Sequence, residues 1–174
     1  MRLFHVSEEP NIDKFVPRIP VREDMDKSKG LVWSLTEPSL PNWLTPRDCP
    51  RVTYRVKDDT TQEDIAKFFS SPFSSRHCVA IENGWHVKML ETTLYIYEFD
   101  PANFYFDETA SFYVSDKTEI PIAVTKFENL YEELFKRNVE VRILANLWDL
   151  GEAVLKSTLN YSLCRMRNAK PKPI

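Results

Sequence analysis

Apolar positions along the chain fall into short runs of two different periods. Leu3 to Val6 predicts a first strand, and Leu31 to Leu35 (LVWSL) a second. Val52, Tyr54 and Val56 alternate with Thr53 and Arg55, the period-two pattern of a half-buried strand. Cys78 to Glu82 reads as a strand. Leu94 to Phe99 (LYIYEF) is the clearest one by its aromatic and β-branched content. Phe112 to Val114, Ile120 to Val124 and Val139 to Leu144 read as further short strands. Helical spacing occurs in three stretches. Thr60 to Ser70 opens with Thr60 and Glu63 at capping-box spacing, sets Ile65, Phe68 and Phe69 on one face, and meets Pro72 as its stop. Thr125 to Asn138 has a second capping box in Thr125 and Glu128. It places Phe127, Leu130, Tyr131, Leu134 and Phe135 on one apolar face. Asn146 is placed to cap a last helix through Leu159, with Leu147, Leu150, Val154 and Leu155 inward. Asn83-Gly84 leaves residues 83–91 open between a hairpin and a helical turn.

The polar stretches complete the outline. Residues 7–30 carry Pro10, Pro17 and Pro20 and read as a long ordered surface loop, a kind of segment that often carries function. The stretch EPSLPNWLTPRDCPRV holds four prolines, which bar a regular element of any length. The order of elements is mixed, without regular βαβα alternation. That favours an α+β fold: one domain over residues 1–168, with a mixed or antiparallel sheet and a few helices. CRMRNAKPKPI adds a strand before residues 169–174 fray as a flexible tail.

Composition narrows the classes. Hydrophobic residues are 43% and aromatics 13% of 174, enough for a packed core without crosslinks. Only 3 glycines are present, and neither GxGxxG nor GxxxxGK[ST] occurs, which argues against Rossmann dehydrogenases and P-loop enzymes. A net charge of −3 gives no broad field for nucleic acid or membrane. No apolar run is long enough to span a bilayer, and the N-terminus has no signal core. Cys49, Cys78 and Cys164 are odd in number, with no CxxC, so they read as reduced thiols. A cytoplasmic protein is expected, with no required cofactor and no metal: His5, His77, His86, Cys49 and Cys78 show no zinc-ligand spacing. Nothing in the pattern fixes an oligomeric state.

Three places can carry chemistry. His5 and Ser7 lie two apart on a strand and so share a face, suited to a ribose or carbonyl or to base chemistry. The plain alternative is a histidine that braces the strand end beside a serine turn. Arg47 and Arg51 flank Asp48 and Cys49 in a proline-stiffened loop, and guanidinium forks suit phosphate or carboxylate. Trp33 and Trp43 offer stacking faces for a base. Against that stands an arginine–aspartate brace, with both tryptophans as packing. Arg165 and Arg167 share a face on an extended segment and can complete an anion pocket, or form a solvated basic surface with Lys170 and Lys172.

The stretches FHVSEEPNIDKFVPR, VWSL, PRDCPRV, LYIYEF and VRILANLWDLGEAVLKSTLNYSLCRMRNA together resemble DUF6886, a family of small bacterial proteins of unknown function. The aromatic-His-x-Ser entry followed by N-I-x-x-F is similar to the start of ADP-ribosyltransferase-like folds, including RNA 2'-phosphotransferases. That second resemblance implies a small-molecule nucleotide partner, with NAD as candidate ligand. His5 would contact the ribose with Ser7 beside it. The Arg47 loop or the Arg165–Arg167 segment would face the diphosphate. Glu119 and Glu98 stand as substitutes for the strand glutamate those transferases use. The alternative function is a non-catalytic protein-interaction or structural domain, in which Trp and Arg anchor an interface.

Overall fold

The computed structural model describes residues 1–21, 23–69, 71 and 75–173. The elements begin with β1 (Leu3–Ser7), β2 (Val32–Thr36), a 3₁₀ helix (Glu37–Trp43), β3 (Arg51–Arg55), α1 (Gln62–Phe68) and β4 (His77–Glu82). A 3₁₀ turn (Asn83–Trp85) leads into α2 (His86–Glu91), followed by β5 (Leu94–Phe99), β6 (Tyr105–Asp107), β7 (Phe112–Ser115) and β8 (Ala123–Phe127). The chain closes with α3 (Leu130–Lys136), β9 (Glu140–Leu144), α4 (Trp148–Leu155), β10 (Asn160–Cys164) and a 3₁₀ turn (Met166–Asn168). Helices and strands are interspersed without a doubly wound pattern, and the fold is α+β.

The chain forms two compact units. Unit 1 comprises Met1–Trp43 and Thr93–Phe127; unit 2 comprises Leu44–Thr92 and Glu128–Ile174. Unit 1 holds an antiparallel sheet in the order β6-β7-β2-β1-β5-β8. Directly opposed residues share a face. His5 pairs with Tyr97 and Leu3 with Phe99, so these four point to one side, while Phe4, Ile96 and Glu98 point to the other. On that second side Trp33 and Phe112 pack on Met25, Leu31, Ala110 and Val114.

Unit 2 holds the sheet β10-β3-β4-β9, in which only β4 and β9 run parallel. One face presents Val52, Tyr54, Cys78 and Ala80 to Phe68, Phe69, Leu147 and Val154, so α1 and α4 cover it. Val79 and Ile81 alternate to the other face, fully buried, and α3 packs against β9 and α2. None of the described helices is long and apolar enough to cross a membrane.

Several boundaries differ from the sequence reading for local reasons. The α1 cap is Thr61, accepting from the Asp64 amide, because Thr60 Oγ1 instead accepts from the Lys57 amide at the exit of β3. Ser70 and Pro72, the expected end and stop, lie outside the described residues. Residues 125–127 are strand, not helix. Ala-Val-Thr-Lys-Phe pairs along the edge of β5, and tertiary pairing overrides the capping-box spacing of Thr125 and Glu128. Asn129 caps α3 instead, accepting from the Glu132 amide. Phe135 and Leu155, expected inward, are 61% and 53% exposed; Leu130, Leu134, Leu147 and Val154 are buried, and Leu150 packs partly buried against the cluster that holds Leu147 and Val154. Residues 83–91 are helical, and the four prolines after β2 admit a 3₁₀ helix with Pro41 inside it.

Candidate functional site

His5 stands on the central strand β1 of unit 1. Its Nδ1 lies 3.1 Å from the Trp33 carbonyl. A carbonyl can only accept, so Nδ1 carries a proton and donates to it. The imidazole packs against Phe15, with ring centroids 4.8 Å apart. Phe15 in turn meets Tyr97 edge-on at 5.1 Å and Phe99 at 5.0 Å. The expected long loop is therefore folded back over the His5 face. Tyr97 fastens it further: the phenol donates to the Glu9 carbonyl at 2.6 Å and accepts from the Ile12 amide at 3.1 Å. Ser7 Oγ accepts from the Glu9 amide at 3.0 Å, the serine turn of the plain alternative.

An acid shares this side. Glu119 is 6% exposed and joins Phe15 by two backbone hydrogen bonds, of 2.8 and 2.9 Å. Its carboxylate accepts from Ser115 Oγ at 2.5 Å. Ser115 pairs with Val32, two residues from Ser34 on β2, which places it on the face that His5 shares. His5 and Glu119 thus both engage Phe15, one through its ring and one through its backbone. Glu98 does not join them. It points to the opposite face and binds Arg2 through two contacts, of 2.8 and 2.7 Å; that hydrogen-bonded guanidinium holds its carboxyl below the usual range.

Trp33 contributes its carbonyl to His5 but its ring to the other face. There it meets Phe112 at 5.8 Å, and Trp43 meets Phe112 at 6.1 Å.

Arg47, Arg51, Arg165 and Arg167 all lie in unit 2. Arg51 is 2% exposed and donates to the Cys49 carbonyl at 3.0 Å. Arg165 sits at φ 55° and donates to the Arg47 carbonyl at 3.2 Å, with Asp48 3.9 Å away. The Asn168 amide adds a bond of 2.7 Å to the Asp48 carbonyl. The Arg165–Arg167 segment and the Arg47 loop do meet, and the contacts that join them are braces onto backbone. Arg47 and Arg167 are exposed. Burial pushes the Cys49 thiol up to about 12, and the Cys78 thiol likewise, so neither is a thiolate near neutral pH.

Unit 2 also carries an open trough of about 690 Å³ that the sequence reading missed. Leu90, Tyr131, Phe135 and Ile143 line it, with His86 Nδ1 2.8 Å from the Tyr131 hydroxyl at its rim. Its only sequence signal was an apolar face on α3 wider than the helix needed.

One family model matches residues 4–169. The chain belongs to DUF6886, a family of unknown function. No curated protein and no solved structure matches it. In this DUF6886 chain the FHVSEEPNIDKFVPR stretch supplies His5, Ser7 and the Phe15 clamp. The VRILANLWDLGEAVLKSTLNYSLCRMRNA stretch builds β9, α4 and β10 of unit 2. Tyr97 was legible as part of the LYIYEF strand and Phe15 only as part of the 7–30 loop; their packing over His5 was not legible.

Proposed function

We propose that this DUF6886 protein binds a ribose-bearing nucleotide, NAD or ADP-ribose, on the His5 face of unit 1. The observation that supports the reading most is the shared engagement of Phe15 by His5 and Glu119. A histidine held by its Nδ1 and a buried carboxylate near one aromatic clamp suit a ribose, whose hydroxyls both donate and accept. His5 and Glu119 would each meet a hydroxyl of the ribose, with Ser7 at the margin. Because Arg51 and Arg165 work as braces, the proposal rests on unit 1 alone. A thermal-shift series with NAD, NADP, ADP-ribose and ATP tests it on wild type, His5→Ala and Glu119→Gln. A ligand at 100 times its Kd adds about 2.7 kcal/mol, a rise of several degrees. Both substitutions should abolish that rise; an equal rise in His5→Ala would end the reading.

A second reading, an interaction module, is favoured by the trough. Leu90, Phe135 and Ile143 are 53%, 61% and 46% exposed around it. Its occupant would be a second copy of the chain. Glu132 and Lys136, paired at 2.8 Å one turn apart on α3, offer both signs of charge for exchange across a two-fold axis. Light scattering should then find a dimer that Phe135→Asp makes monomeric, whereas a monomeric wild type at high concentration would exclude it.

A further inference from the structure

Strands β4 and β9 run parallel and end side by side at Glu82 and Leu144. The carboxyl end of parallel strands is where α/β sheets commonly receive ligands, because the chains diverge there and leave a crevice. In this protein that end is filled by residues 170–172, part of the segment expected to be flexible. Glu82, 2% exposed, spends its carboxylate on the Lys170 backbone amide, both oxygens at 3.1 Å. The Lys170 ammonium donates to Asn83 Oδ1 at 2.8 Å and to the Ala145 carbonyl at 2.9 Å. The Trp148 indole donates to the Lys170 carbonyl at 2.8 Å, and the Asn146 amide to the Pro171 carbonyl at 3.0 Å. Lys172 pairs with Glu152 on α4.

The chemistry of these contacts is that of peptide recognition. Groups from the end of β4, the β9–α4 connection and α4 converge on three residues. They address backbone amides and carbonyls, which any extended peptide carries, and read two side chains, both lysines. A buried carboxylate is a costly group to leave without a donor, so the slot favours being filled. A segment of the same chain fills it at high effective concentration, and a second peptide gains access only as that segment leaves.

We propose that this slot is a binding site for an extended lysine-bearing peptide of a partner chain, and that residues 169–172 are its built-in occupant. The site lies wholly in unit 2 and is independent of the nucleotide reading. Release of the segment and capture of the partner peptide are mutually exclusive with the closed form.

The test uses the full chain and a fluorescent synthetic peptide of residues 168–173, followed by anisotropy. Lys170→Ala combined with Lys172→Ala weakens the internal occupant without touching the slot. That variant should bind the peptide about tenfold tighter than wild type, the factor by which occlusion lowers apparent affinity. Acetylating the peptide lysines, or adding Glu82→Gln, should remove the binding. The wild-type chain gives a second readout that needs no variant: excess peptide should speed hydrogen exchange at the Lys170 amide, which Glu82 holds. No binding by the folded double variant, or binding indifferent to acetylation, overturns the proposal. Unchanged exchange at saturating peptide does so as well, whether or not the variant folds.

Discussion

Tyr97→Ala is expected to lower stability by about 3–5 kcal/mol, the range for emptying an aromatic site in a core. Tyr97 is fully buried in the strand next to β1, and its ring is one of the surfaces on which Phe15 rests. Tyr97→Phe separates packing from tethering. It keeps the ring and deletes the hydroxyl that joins the Glu9 carbonyl and the Ile12 amide, which should cost about 1–2 kcal/mol. Urea unfolding reads both. The Phe variant should also lose exchange protection at the Ile12 amide while β1 and β5 keep theirs. Were Tyr97→Phe neutral, with Ile12 still protected, the hydroxyl would not be the tether of the loop over His5.

Acid should weaken unit 2 in a window set by His77. Burial, with Arg55 beside it, depresses this imidazole from 6.5 to about 4. A histidine depressed in the folded state binds its proton more weakly there than when unfolded. Its contribution is therefore complete above pH 6.5 and is lost as the pH falls towards 4, by up to about 3 kcal/mol. Asp64, Glu98 and Glu133 are all lowered, Asp64 and Glu98 chiefly by hydrogen bonds and Glu133 by Arg137 and Lys136 against its burial. Their contributions begin to fade only at the acid end of this window, as the pH nears the ordinary values of 4.5 for Glu and 3.8 for Asp, and are lost at lower pH. The urea midpoint of wild type should drop between pH 7 and 4.5, and His77→Phe should flatten that part of the curve. An identical slope in the two proteins would mean that His77 is as exposed to protons folded as unfolded.

The strands were the legible part of this sequence. LYIYEF spans β5 as read, because its aromatic and β-branched residues need no distant partner to prefer an extended chain. What failed were elements decided by tertiary partners. Thr125 and Glu128 have capping-box spacing, yet residues 123–127 pair with β5, and the strand read over Ile120 to Val124 reaches only the first two of them. The candidate site was legible in part. His5 and Ser7 follow from alternation on one strand. Their surroundings depend on contacts across long separations: Phe15 from the loop, Tyr97 from β5, Glu119 from beyond β7. The arginines looked alike as sequence. Burial of Arg51 and the left-handed turn at Arg165 turn both towards backbone carbonyls, and a single chain of letters shows neither.

An amide NMR titration of the full chain with ADP-ribose tests ligand binding on the His5 face. The resonances that move on saturation should cluster at Phe4 to Ser7, Phe15, Ser115 and Glu119, and His5→Ala should abolish the movement. A ligand that leaves those resonances in place and shifts only α2 and α3, or shifts nothing at millimolar concentration, would contradict it.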